Sequence, residues 1–180
     1  MAYAVRTREV AKRTGLPHTK IKRYAREFLG YDPRVRMQGG RAREYTVRDA
    51  FRVYLGGRLV HDLGYSILEA KHILKDLWPW LEAKGMMPEG KRLDNFQWTI
   101  WIMNHPQKPG RFRYYKRGVM KRQQSPEEKG VVIEKYIEEF DKGLEVDSEG
   151  LQEMFQSAFR PRVLNISALW LAFRYAMEEE

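Results

Sequence analysis

Two short helical patterns separated by Gly15-Leu16-Pro17 constrain this chain more than any other feature of its sequence. Thr7 is expected to cap a helix over Arg8–Arg13, with Val10 and Ala11 turned inward. Gly15 suits the left-handed conformation that closes a helix, and Pro17 then restarts the chain. A second helix is predicted from His18 to about Phe28. Its apolar residues Ile21, Tyr24, Ala25 and Phe28 recur at spacings of three and four, the period of one helix face. The other face holds His18, Thr19, Lys20, Lys22, Arg23 and Arg26. Two short helices joined by a tight turn, the second one basic, describe a helix-turn-helix. A single lysine or arginine on a helix is ordinarily a solvated residue, so the weight rests on the set.

The elements that follow extend this unit. Gly39-Gly40, flanked by alternating arginine and apolar residues from Arg34 to Tyr45, reads as a hairpin turn in a two-stranded wing, with Arg34, Arg36, Arg41 and Arg43 projecting outward. Thr46 with Asp49 has the spacing of a capping box and opens a helix to about Leu63. Ser66 with Glu69 repeats the device for a further helix with Ile67, Ala70, Ile73, Leu74 and Leu77 inward, which Pro79 is expected to end or kink near Trp78. The stretch Lys84–Lys91, with two glycines and a proline, is the expected boundary between a first domain, 1–85, and a second, 86–180.

Charge follows the same division. The chain carries a net +9 at pH 7, all of it within residues 1–85, whereas lysine plus arginine balance aspartate plus glutamate from 86 onward. A localised positive field is what a phosphate backbone attracts, because neutralising it releases condensed counterions. With no cysteine, disulfides and thiolate metal sites are excluded, and His18, His61, His72 and His105 show no paired ligand spacing. No metal and no cofactor is expected. No apolar run approaches the roughly 18 residues of a membrane span. The start lacks the layout of a secretory signal, so a cytoplasmic protein with no membrane partner is expected. Neither a nucleophile elbow, a P-loop nor an H-E-x-x-H pattern occurs, and no enzyme activity is expected.

Within the first domain, about residues 4–77 resemble the MerR family of transcription regulators. Its opening E-V-A-x-x-x-G appears as Glu9-Val10-Ala11 with Gly15, followed by Leu16, Ile21 and Tyr24 at apolar positions and by Glu27 and Leu29 at the helix exit. The join R-x-Y-[ST]-x-x-D is matched by Arg43, Tyr45, Thr46 and Asp49. The later G-[FY]-S-[LI]-x-E is matched by Gly64, Tyr65, Ser66, Ile67 and Glu69. Where family members usually carry Thr-Leu-Arg-Tyr-Tyr-Glu, this chain has Lys20-Ile21-Lys22-Arg23-Tyr24-Ala25, with the core positions kept and the surface more basic. The resemblance implies a double-stranded DNA-binding regulator whose second helix enters the major groove and whose wing lies on the backbone or adjacent minor groove. Lys20, Arg23 and Thr19 are then the candidates for base edges, and Lys22, Arg26, Arg34, Arg36, Arg41 and Arg43 for phosphates. Tyr24 reads either as a phosphate contact or as a core residue one turn after Ile21.

The expected architecture is therefore a mainly α winged helix-turn-helix followed by a small α+β domain. In the latter, residues 96–103 and 111–118 read as strands of a hairpin, and 126–141 reads equally as helix or strand. Ser148 opens a helix to Phe159, Val163–Ile166 is a short strand, and Ser167 is expected to cap a final helix to about Met177. Trp98, Trp101, Tyr114 and Tyr115 read as pocket-lining or, more ordinarily, as core. The basic run Arg111–Arg122 admits a further nucleic-acid contact, with the acidic stretch Glu127–Glu153 equally able to neutralise it. Homo-oligomerisation, an effector or the transcription machinery are the partners open to residues 86–180. A phage or mobile-element DNA-architectural, excisionase-like protein is the alternative use of the same winged fold.

Overall fold

In the computed structural model, residues 5–30, 44–89, 95–105, 108–121, 133–140 and 161–178 are described. They form two compact units, one of 1–93 with 169–180 and one of 94–168. The final helix, expected in the second domain, thus counts from Leu169 onward with the first unit.

The first unit opens with strand β1 (Val5–Arg6), which pairs antiparallel with β2 (Glu44–Tyr45) in the register Val5 to Tyr45 and Arg6 to Glu44. Helix α1 (Thr7–Thr14) follows directly. Thr7 does not cap it. Arg6 holds the extended cap position without a side-chain bond, and the buried Thr7 hydroxyl instead meets the Tyr45 hydroxyl at 3.3 Å. Gly15, at φ 69°, ends α1 and donates its N–H to the Ala11 carbonyl. Helix α2 (His18–Leu29) starts after Pro17, whose carbonyl accepts from Lys20 and Ile21.

Helices α3 (Val47–His61) and α4 (Ile67–Ala83) both begin with complete capping boxes, Thr46 with Asp49 and Ser66 with Glu69, as their spacing predicts. Pro79 lies inside α4 and does not end it. The helix runs one further turn to Ala83, carrying Leu81 into full burial, which offsets the backbone bond proline forfeits. It closes in a Schellman arrangement. Gly85 (φ 66°) donates to the Glu82 carbonyl, and buried Met86 donates to the Leu81 carbonyl.

Two glycines decide how α2 sits on α3. A Cβ on Gly56 would stand 2.4 Å from the Phe28 ring, and one on Gly57 would stand 2.7 Å from a Leu16 methyl. The bare backbone of α3 is therefore what lets α2 approach. Helix α5 (Ile166–Glu178) adds Phe173, whose ring lies 5.1 Å from Phe51 and 5.4 Å from Tyr54. Arg13 of α1 donates to the Ala176 and Met177 carbonyls at 3.3 and 2.8 Å, placing a cation at the negative end of α5.

The second unit is a four-stranded antiparallel sheet of β3 (Gln97–Asn104), β4 (Phe112–Lys121), β5 (Ile133–Phe140) and β6 (Arg162–Leu164), ordered β5-β4-β3-β6. The expected hairpin of β3 and β4 is present, and within the undecided stretch 126–141 residues 133–140 are strand. The helix expected from Ser148 to Phe159 lies outside the described residues. Ser167 does not cap α5. Asn165 does so, accepting from the Ala168 N–H at 3.0 Å, while the Ser167 hydroxyl is drawn away to accept the buried Trp98 N–H at 2.7 Å.

Alternation sorts the sheet into two faces. Trp98, Ile100 and Ile102 with Tyr114 are buried on one. On the other, the rings of Trp101, Tyr115 and Phe140 follow one another across three strands at 4.9 and 5.0 Å. The four aromatic residues considered for a pocket thus form a core and a cross-strand ladder. Burial, with a hydrogen bond donated to Glu138 at 2.5 Å, pushes the Tyr115 phenol well above its usual range.

Candidate nucleic-acid interface

The physics of α2 divides its side chains cleanly. Ile21, Tyr24, Ala25 and Phe28 are buried, with at most 4% of their surface exposed, and Tyr24 and Phe28 stack at 5.6 Å. Thr19, Lys20, Lys22, Arg23 and Arg26 are all exposed. At about 100° per residue these five fall within roughly 160° of arc, centred opposite the buried four. The helix therefore presents one hydroxyl and four cations to solvent as a single ridge. No acidic residue lies in its first turn, so the positive end of the helix dipole adds to this field.

Within the ridge the cations differ. Arg26 lies 3.5 Å from the Glu27 carboxylate beside it, an exposed pair of little intrinsic strength that a phosphate can displace. Lys20, Lys22 and Arg23 belong to no described ion pair. Tyr24 is turned away from the ridge, and burial raises the pKa of its phenol despite the nearby Arg23 charge. Of its two readings, the structure favours the core one. Arg34, Arg36, Arg41 and Arg43, the wing candidates, lie outside the described residues.

The N-terminal part of the chain, residues 5–77, matches the family model of the MerR HTH family regulatory protein. No curated protein and no solved structure matches the chain. The MerR-type segment spans β1 through most of α4, so every described helix-turn-helix element falls inside it. Its motif residues have physical roles: Gly15 makes the turn, Leu16 is buried beneath Gly57, and Tyr45 is buried and meets Thr7.

Sequence reasoning missed two parts of this MerR-type unit. Arg8 and Lys12 lie one turn apart on the exposed surface of α1, a pattern readable from their spacing of four. The Gly56-Gly57 pair drew no reading from the sequence, although it sets the seat of the basic helix. Elsewhere in the first unit, a cavity of about 380 Å³ is lined by Val5, Val47, Phe173 and Met177, with Arg13 and Arg174 among its charged residues. Both arginines are engaged by carboxylates at 2.7 Å, Arg13 by Glu9 and Arg174 by Glu178. Among the described residues, no helix is long and apolar enough to cross a membrane.

Proposed function

We propose that the chain is a double-stranded DNA-binding transcription regulator that uses α2 as its recognition helix, and that it has no catalytic role. One observation carries the reading: a hydroxyl and four cations share the solvent face of a helix whose opposite face is locked into the core. A major groove admits one helix, and arginine or lysine on that helix reaches guanine O6 and N7. Lys20, Arg23 and Thr19 address base edges, while Lys22 and Arg26 hold phosphates. The MerR match over 5–77 supports the same use of these elements. The second unit serves as the sensing, partner-binding or oligomerising part.

Selecting bound sites from random duplexes, followed by fluorescence anisotropy, tests this. Arg23→Ala is expected to relax preference at one base position, at a cost of about 1–3 kcal/mol, whereas Lys22→Ala weakens all duplexes alike and lowers the salt slope by about one. If both variants bind as the parent does, α2 is not the recognition helix. A short palindromic footprint fits a regulator, and cooperative spreading along direct repeats fits the architectural alternative.

A further inference from the structure

Between Asn95 and Lys121 the chain carries six lysines and arginines and no aspartate or glutamate. The sheet sorts these cations by position. In the middle of β4, Lys116 is buried and stands opposite Glu139 of β5, and Arg117 lies 3.9 Å from the Glu138 carboxylate. Among the described residues β5 pairs with β4 as far as Phe140, opposite Tyr115, and Lys108, Arg111 and Arg113 precede that paired stretch. At the end of the sheet that holds the β3–β4 turn, Lys108 and Arg111 are exposed, Arg113 is half-buried, and Arg162 is exposed on β6 opposite Ile102. His105 sits in this field. Its imidazole is pushed below the usual histidine value by desolvation first, then by Arg113 and Lys108.

The turn is also held in shape. Arg111 donates its N–H to the Lys108 carbonyl at 3.1 Å, and His105 donates to the Arg111 carbonyl at 2.8 Å. Gly110, at φ 72°, makes the tight reversal between them. With the backbone at Lys108 and Arg111 already bonded, less of the main chain is left to order on meeting an anion.

We propose that this end of the second unit, built on Lys108, Arg111 and Arg113, is a phosphate-contacting surface for the backbone of duplex DNA, made of residues other than those of α2. The inference rests on the reading of the chain as a DNA-binding protein and extends it to a second point of contact. Duplex DNA is favoured over an anionic membrane by the apolar content of the turn. Phe112 is buried, and the exposed residues Lys108, Pro109, Gly110 and Arg111 offer no large apolar side chain for a bilayer to take up. The contact is electrostatic and independent of sequence, as phosphate contacts are.

The test uses the full chain and a Lys108→Gln/Arg111→Gln double variant, two exposed changes whose folding is checked by circular dichroism. Binding to a random-sequence duplex is followed over a salt series, with Arg23→Ala in parallel. Removing two phosphate contacts is expected to reduce the slope of log K against log salt by about two, and to weaken binding on the order of 10- to 100-fold at about 50 mM salt. The base preference recovered by site selection stays that of the parent. Equal slope and affinity in parent and double variant, with Arg23→Ala still altering preference, overturns the hairpin contact and leaves α2 standing. The converse result overturns α2 and leaves the hairpin. A parent that binds no duplex overturns both. Loss of binding to phosphatidylglycerol vesicles with duplex binding unchanged makes the surface a membrane contact and overturns the proposal.

Discussion

Replacing Gly56 by alanine puts the packing beneath α2 to a direct test. The new methyl would lie 2.4, 2.5 and 2.9 Å from three atoms of the Phe28 ring. That ring has 4% of its surface exposed and stacks on Tyr24, so it has little room to give. Overpacking of this kind costs typically 1–3 kcal/mol, and three contacts below 3.0 Å put Gly56 at the upper end. Exchanging glycine for alanine within a helix returns about 1 kcal/mol. The net expectation is a loss of about 2 kcal/mol, or a fall on the order of 10 °C in the melting temperature of a unit this size. Circular dichroism at 222 nm reads it. Gly57→Ala shares the helical gain, but its contact at 2.7 Å is with the end of a flexible leucine, so a smaller loss is expected. In the double variant Gly56→Ala/Phe28→Leu the ring is gone, and the two losses should fall short of their sum. A Gly56→Ala protein as stable as its parent, or more so, would refute the argument, because the overpacking would then cost no more than the helical gain returns.

Two further outcomes follow from the second unit. Ser167→Ala leaves the buried Trp98 N–H without its acceptor and should cost about 1–3 kcal/mol, whereas Asn165→Ala, which removes the cap, should cost about 1 kcal/mol. Denaturant midpoints followed by tryptophan emission rank the two, and a larger loss at Asn165 would contradict the assignment. His105 should titrate below 6.5 in the folded protein, because desolvation, Arg113 and Lys108 all disfavour its charged form. The unfolded chain then takes the proton first, so stability falls as pH drops through 6.5 and below. Histidine ring resonances followed through a pH series check the sign, and a value above 6.5 would reverse it.

The first unit was legible in the sequence where its signals are local. Gly15, Thr46 with Asp49, and Ser66 with Glu69 each act within four residues, and all behave in the fold as their chemistry predicts. The readings that failed are those in which a distant partner decides. Thr7 is a good capping residue, but Tyr45 claims its hydroxyl. Ser167 and Asn165 are both capping types, and the choice between them is made by the N–H of Trp98, far away in sequence. Pro79 read as a stop or a kink, and the stop failed because the burial of Leu81 cannot be seen from position 79 alone. The Gly56-Gly57 pair has no local logic, since its purpose is the space it leaves for Phe28 and Leu16.

Net charge misled in the same way. Residues 86–180 balance to zero, which suggests that the field of the molecule belongs entirely to its first part. A field, however, depends on where charges stand, and among the described residues of the second unit the strands pair some cations with carboxylates and not others. Glu138 and Glu139 on β5 face Arg117 and Lys116, while Lys108, Arg111 and Arg113 lie past the described end of that strand. With a screening length near 8 Å at physiological salt, carboxylates beyond that distance do little to cancel these cations. Among the described residues, strand register, which composition does not record, therefore decides which of these cations stand opposite a carboxylate.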